Sequence, residues 1–198
     1  MSERRPEPFA IALGELRRRL REGRYRPEHR LAAKDLATEL RLSPTPVREA
    51  LSRLAGEGLL EDRRGQGFFV RRLGRRDVVA LYRMRLAQLA LALQAAEHAA
   101  SAGFPEEADA VVWTEQLFAG WVAAAGVRTL GHAFGAVQAQ LAPVRQLEGQ
   151  LLSDLMQEAA DLAAAPDRRE RLVRLRRFHQ RRVRLAESLA DLLERPEV

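Results

Sequence analysis

Apolar residues recur through the first third of the chain with a helical period. Phe9, Leu13, Leu16 and Leu20 stand at i, i+4, i+7 and i+11, one face of a first helix. Gly23 stops it and Pro27 follows. Leu36 and Leu40 mark the inner face of a short second helix from about Ala33 to Leu40, and Arg41-Leu42-Ser43 make a tight turn. Ser43 is suited to cap the next helix, and Pro44 to its first position, where a missing N–H costs nothing. That third helix runs to about Ala55 with Val47, Leu51 and Leu54 inward, and Gly56 and Gly58 close it. The period then changes. Leu59 to Arg63 and Phe68 to Arg71 read as two short strands around Gly65-Gln66-Gly67. Three helices and a β-hairpin in this order predict a winged helix-turn-helix over residues 9–71, after a flexible N-terminus over 1–8.

The remainder has no strand signal. After a linker over 72–76, helices are expected near Asp77–Ser101, Pro105–Ala125, Arg128–Leu141, Val144–Ala164 and Asp167–Glu194. Breaks are expected at Gly103-Phe104-Pro105, Gly126, Pro143 and Pro166. Leu86, Leu89, Leu93, Ala96 and Ala100 make one stripe; Leu172, Leu175, His179, Ala186, Leu189 and Leu193 make another. The fold class is therefore mostly α: a winged helix-turn-helix followed, over 77–198, by an all-α antiparallel helical bundle for dimerisation or effector binding.

Charge sharpens this division. Residues 1–76 carry 19 Lys and Arg against 11 Asp and Glu, and the rest of the chain 14 against 16. A basic domain is the electrostatic footprint of polyanion binding. Cysteine is absent, which excludes disulfides and thiolate metal sites and fits a reducing cytoplasm. No apolar run reaches the roughly 18 residues of a membrane span, so no membrane association is expected. No nucleophile with its base, phosphate loop or His/carboxylate cluster stands at a useful spacing, so an enzyme is not expected. Neither is a cofactor.

In a helix-turn-helix the second helix of the pair lies in the major groove, and its N-terminal residues meet base edges. Here Thr45, Arg48, Glu49 and Ser52 point away from the apolar face. Arg48 sits one turn in, where a guanidinium reaches guanine O6 and N7 together. Ser43 and Thr45 suit phosphate or base, and Lys34 suits the backbone. Glu49 would be repelled by DNA and is assigned an ion pair with Arg53. Arg63, Arg64, Gly65, Gln66 and Gly67 form the wing tip, where Gly permits close backbone approach to a phosphate.

These residues resemble the GntR family of bacterial regulators. The resemblance rests on Leu36-Ala37, on Leu42-Ser43-Pro44-Thr45-Pro46-Val47-Arg48-Glu49-Ala50-Leu51, on Glu57-Gly58-Leu59 and on Gly65-Gln66-Gly67-Phe68-Phe69-Val70. It implies a homodimer on a short inverted repeat of double-stranded DNA, usually a repressor relieved by a small metabolite. By position it implies DNA contacts from Lys34, Ser43, Thr45, Arg48, Arg64 and Gly65. Pro44 stands where relatives often carry a base-reading Arg, and Pro27-Glu28 where Pro-Gly is usual; the second departure should alter only a turn.

The second half resembles the all-helical effector (FCD-type) domain of the FadR-like subgroup, in shortened form. Thr114 and Phe118 occupy the places of an Asp and a His that hold a metal in many relatives, Val127 that of an Asn, and only His179 matches a later His. His98 and His132 match no ligand position, and His29 belongs to the first half. One His cannot satisfy a divalent metal, so the metal site is read as lost. Arg85 reads as an anion partner inside the bundle or as a surface Arg. Trp113, Phe118, Trp121 and Phe134 read as an effector-pocket lining or as plain core, and His179 as a core residue or a ligand. The nine Arg in 17 residues from Arg168 to Arg184 read as a solvated face, with a DNA or subunit contact as alternatives. The expectation is a homodimeric regulator; the alternative is a nonspecific architectural DNA binder whose second half only dimerises.

Overall fold

The computed structural model describes residues 7–96 and 109–195. They fall into two units, one ending at Leu73 and one running from Gly74 to Arg195. The first unit contains α1 (Pro8–Arg21), β1 (Arg30–Leu31), α2 (Ala33–Leu40), α3 (Pro44–Gly56), β2 (Leu60–Arg63) and β3 (Gly67–Val70). Its core is built from Ala12, Leu16 and Leu20 of α1, Leu36 and Ala37 of α2, and Val47, Ala50, Leu51 and Leu54 of α3, closed by Leu31, Leu60, Phe68 and Val70. Three amphipathic stripes and one sheet face thus share a single interior. Phe9 and Leu13 pack at its edge.

The sheet has three strands, not two. β1 pairs antiparallel with β3, with Arg30 opposite Phe69, and β3 pairs with β2, with Arg63 opposite Gly67. A two-residue strand shows no alternation in sequence. It forms because Leu31 is buried and β3 would otherwise present an open edge.

The second unit holds α4 (Arg75–Ala95), α5 (Ala110–Ala124), α6 (Arg128–Gln146), a 3₁₀ turn (Glu148–Gln150), α7 (Leu155–Ala163), α8 (Arg168–Arg184) and α9 (Ala186–Glu194). The expected extension of the first bundle helix to Ser101, the Gly103-Phe104-Pro105 break and His98 lie outside the described residues, as do residues 1–6 of the expected flexible N-terminus. Helix α4 starts two residues before its expected position. Asp77 accepts the Gly74 N–H at 3.1 Å, half of a capping box, and this draws Arg75 and Arg76 out of the linker into the helix.

Two expected boundaries are corrected. Pro143 does not break a helix; it lies inside α6. Leu130, Phe134, Val137, Leu141, Val144 and Arg145 are all buried on that helix, and keeping this stripe continuous outweighs the hydrogen bond that Pro removes. The next helix accordingly begins at Leu155, not Val144. The expected long last helix is two. Leu185 leaves helical geometry at φ −91°, ψ 4° between α8 and α9, which lets Ala186, Leu189 and Ala190 bury on a new line.

Candidate nucleic-acid interface

Helix α3 is anchored on one side and open on the other. Val47, Ala50, Leu51 and Leu54 are fully buried, so the helix cannot rotate without exposing them. Thr45, Arg48, Glu49, Ser52 and Arg53 are exposed as a result. The Ser43 side chain makes no capping bond and leaves its hydroxyl available. Pro44 and Pro46 remove two N–H groups from the first turn, so Thr45 supplies its principal backbone donor. The turn before α3 holds Arg41 at φ 54°. That exposed cation beside the helix N-terminus escaped the sequence reading.

One assignment is corrected. Arg53 pairs with Glu57 at 2.9 Å, not with Glu49. Glu57 is already fixed by Arg17 of α1, which reaches both its carboxylate oxygens at 2.8 Å. Glu49 has no ion pair among the described residues.

The wing separates its arginines. Arg63 donates to Glu61 at 2.8 Å and to Glu28 at 2.6 Å and lies over the Phe69 ring at 4.4 Å. Its charge is answered within the domain, so it braces the hairpin. Arg64, Gly65 and Gln66 form the exposed tip, and the Gln66 N–H closes the turn on the Arg63 carbonyl at 2.8 Å. Gly65 and Gly67 have φ of 76° and 98°, a region open to Gly at little cost. Exposed Arg30 lies alongside, its guanidine group near Gly67. Lys34 is exposed in the first turn of α2. Glu28 has φ 65°, which explains why Gly suits that place; Glu is held there by its bond to Arg63.

The second unit carries a different arrangement, an ion cluster in its interior. Arg85 of α4, Arg145 of α6, Arg182 of α8, Glu148 of the 3₁₀ turn and His179 of α8 are all buried. Glu148 meets Arg182 at 2.8 Å, Arg145 at 3.5 Å and the Tyr82 hydroxyl at 2.5 Å. Glu115 pairs with Arg85 at 2.9 Å and Arg145 at 3.0 Å, and Glu158 with Arg182 at 2.8 Å. Burial alone would push the Glu148 carboxyl up, but Arg145 and Arg182 hold it below the usual range. Burial and then the neighbouring Glu148 charge raise the Tyr82 phenol. Burial, reinforced by Arg145, pulls Arg85 down to about 10, still charged at neutral pH.

His179 is neutral, its pKa lowered first by burial and next by Arg85. The Arg85 Nε–H donates to His179 Nε2 at 3.1 Å. Nδ1 therefore carries the ring proton and donates to the Leu175 carbonyl at 2.8 Å. Nε2, the nitrogen a metal would need, is engaged. Among the described residues no three His, Asp or Glu side chains converge for a metal. Thr114 donates to the Ala110 carbonyl and accepts from Arg145 Nη2 at 2.6 Å. Phe118 packs against Phe178 and His179 at centroid distances of 5.4 and 5.9 Å.

Of the residues read as an effector-pocket lining, the structure brings Arg85, Phe118 and His179 together. Trp113, Trp121 and Phe134 belong to the same buried hydrophobic cluster. The sequence reading missed Tyr82, Glu115, Arg145, Glu148, Glu158 and Arg182. Among the described residues four guanidinium nitrogens, Arg85 Nη2, Arg145 Nε, Arg145 Nη1 and Arg182 Nε, are buried without a hydrogen bond, although Arg145 Nε lies 3.0 Å from a Glu115 oxygen as an ion pair.

Comparison with known proteins agrees with this geometry. Residues 12–70 match the family model for bacterial regulatory proteins, gntR family. The Nta operon transcriptional regulator of Aminobacter aminovorans is 43% identical over 61 residues, 31% of this chain and 29% of that protein. The HTH-type transcriptional regulator McbR of Escherichia coli K12 is 40% identical over 71 residues, 36% of this chain and 32% of that protein. The matches thus span about a third of these relatives. Over 93% of this chain and 99% of the other, the solved structure of E. coli McbR/YncC superposes with a TM-score of 0.66 at 19% identity. The two proteins share a fold. Among the described residues no helix is long and apolar enough to cross a membrane.

Proposed function

Because residues 12–70 form a gntR-family helix-turn-helix domain, we propose that the protein is a sequence-specific transcription regulator, a repressor that binds a short inverted repeat of double-stranded DNA as a homodimer. The observation that carries this reading is α3: a helix locked by four buried apolar residues and presenting Thr45, Arg48 and Ser52 outward. In this reading Arg48 reads a base, and Ser43, Thr45 and Ser52 contact base or phosphate. Lys34, Arg64, Gly65 and Gln66 follow the backbone, and Arg63 orients the wing.

The same reading makes the helical unit the dimerisation and effector module. A small-molecule effector would bind at Arg85, against Phe118 and His179, with Trp113, Trp121 and Phe134 behind them. The buried guanidinium nitrogens without partners support an anionic group there. Such a ligand must compete with Glu148, which already sits between Arg145 and Arg182.

Selection from a random duplex pool tests the DNA reading. The protein is expected to recover an inverted repeat. Arg48→Ala should weaken binding by about 1–3 kcal/mol and relax one position in each half-site. Uniform recovery by both proteins would overturn the sequence-specific reading in favour of an architectural DNA binder.

A further inference from the structure

The ion pairs of α8 leave one face unanswered. Among its arginines, Arg174 pairs with Glu170, Arg181 with Asp154, and Arg182 with Glu148 and Glu158. Arg168 reaches the Gln94 carbonyl, and Arg171 is engaged as well. Arg169, Arg176, Arg177 and Arg184 are exposed and have no ion pair among the described residues. At about 100° per residue these four, with Val173 and Gln180, fall within an arc of about 100°. Buried Leu175, Phe178, His179 and Arg182 occupy the opposite side. An open groove follows the exposed arc, lined by Val173, Arg176, Arg177, Gln180, Arg181 and Arg184. The one acid of α8, Glu170, is bonded to Arg174.

A solvated helix face normally mixes charge signs, because like charges on neighbouring turns repel. This one is uniformly positive, although the chain beyond residue 76 has more acids than bases. From Arg169 to Arg184 the row extends about 22 Å at 1.5 Å per residue. A strand of duplex DNA presents a phosphate about every 3.4 Å of helix axis, so several lie within reach of such a row. Arginine also matches phosphate oxygens with paired donors.

We propose that this face of α8 docks the phosphate backbone of double-stranded DNA, in addition to the contacts of the N-terminal domain. The proposal rests on the preceding reading, in that the N-terminal domain supplies duplex at high local concentration. The α8 contact adds affinity without reading sequence.

The test changes Arg169, Arg176, Arg177 and Arg184 together to Gln in the full chain. Gln keeps helix propensity close to that of Arg, and circular dichroism checks the fold. Binding is measured across a salt series, on the selected repeat and on a random duplex, together with mass in solution. The plot of log affinity against log salt should become shallower by about 0.9 for each phosphate that α8 no longer neutralises, about 1 to 4 in all. Motif and mass should stay unchanged, and Lys at the four positions should restore the slope. A slope equal to the parent's on both duplexes overturns the proposal. A slope change accompanied by altered mass overturns it too, because the row is then a subunit contact. Arg48→Ala run alongside keeps the two readings apart. A parent that selects a motif but ignores the α8 change refutes only this inference. A parent without a motif refutes sequence-specific regulation, while the random duplex still decides on α8.

Discussion

Removing the Glu148 charge is the most searching perturbation of the helical unit. Glu148→Gln keeps the shape and leaves an acceptor for the Tyr82 hydroxyl, but removes the carboxylate that Arg182 meets at 2.8 Å and Arg145 at 3.5 Å. At an effective dielectric of about 20, unit charges at such distances attract by about 5–6 kcal/mol each. Taking each ion from water costs several kcal/mol in return. The difference matches the loss of about 3–5 kcal/mol typical when one partner of a buried pair is removed. All three groups are at most 2% exposed, so screening by solvent does little to reduce it.

Tryptophan fluorescence is the natural assay. The only two tryptophans, Trp113 and Trp121, both lie in α5 of the helical unit, so emission follows this unit alone. The expected fall in its melting midpoint is about 10–20 °C. A second variant sharpens the test. Arg182→Met in the Glu148→Gln background should cost less than Arg182→Met alone, because it then deletes a charge that has already lost one of its two carboxylates and keeps only Glu158. A loss under about 1 kcal/mol for Glu148→Gln, or strict additivity of the two changes, would refute the view that this carboxylate holds the cluster together.

Two further outcomes are expected. Lowering pH below about 6.5 should weaken the helical unit through His179, whose pKa burial and Arg85 lower. The unfolded chain protonates His179 as pH falls through about 6.5, while the buried ring stays neutral to much lower pH. The loss should be about 1 kcal/mol between pH 6.5 and 5.5 and approach about 1.4 kcal/mol for each further pH unit, and a flat midpoint between pH 6.5 and 5.5, or His179→Gln behaving like the parent, would contradict a neutral buried ring. Glu28→Gly should stabilise the N-terminal unit by up to about 1 kcal/mol, since relief at φ 65° exceeds the loss of an exposed ion pair. Slower amide exchange in α1 to α3 is the expected sign, and faster exchange would show that the Arg63 contact dominates.

The N-terminal domain was legible in sequence because its signals are local. Each helix has its own apolar stripe and its own stop, and the hairpin announces itself through Gly65 and Gly67. The exposed set Thr45, Arg48, Glu49 and Ser52 followed from placing α3 and taking the residues away from Val47 and Leu51. What stayed hidden there was partner choice. Arg53 selects Glu57 over Glu49 because Arg17, 40 residues away in sequence, holds Glu57 in place. Arg63 is tied to Glu28 by pairing at 35 residues' separation. In the bundle, Pro143 signals a break because its chemistry is a local argument against a helix, whereas the argument for continuing α6 lies in neighbouring helices.

The interior cluster did leave a trace, one that apolar pattern reading discards. Arg85 stands in phase with Val78, Leu81, Leu89 and Ala92; Arg145 with Phe134 and Leu141; Arg182 with Leu175 and Phe178, all buried. A lone arginine on an apolar stripe must find an anion or leave the core. Three such arginines in one small domain therefore demand buried or half-buried acids, and Glu115, Glu148 and Glu158 meet that demand. The same logic separates the two faces of α8. Arg182 lies in phase with the apolar stripe and is consumed by the interior, whereas Arg169, Arg176, Arg177 and Arg184 lie out of phase and face outward with no acid paired to them among the described residues. Phase relative to the core, more than the density of arginine, distinguishes a charge that holds this domain together from one left free to meet a polyanion.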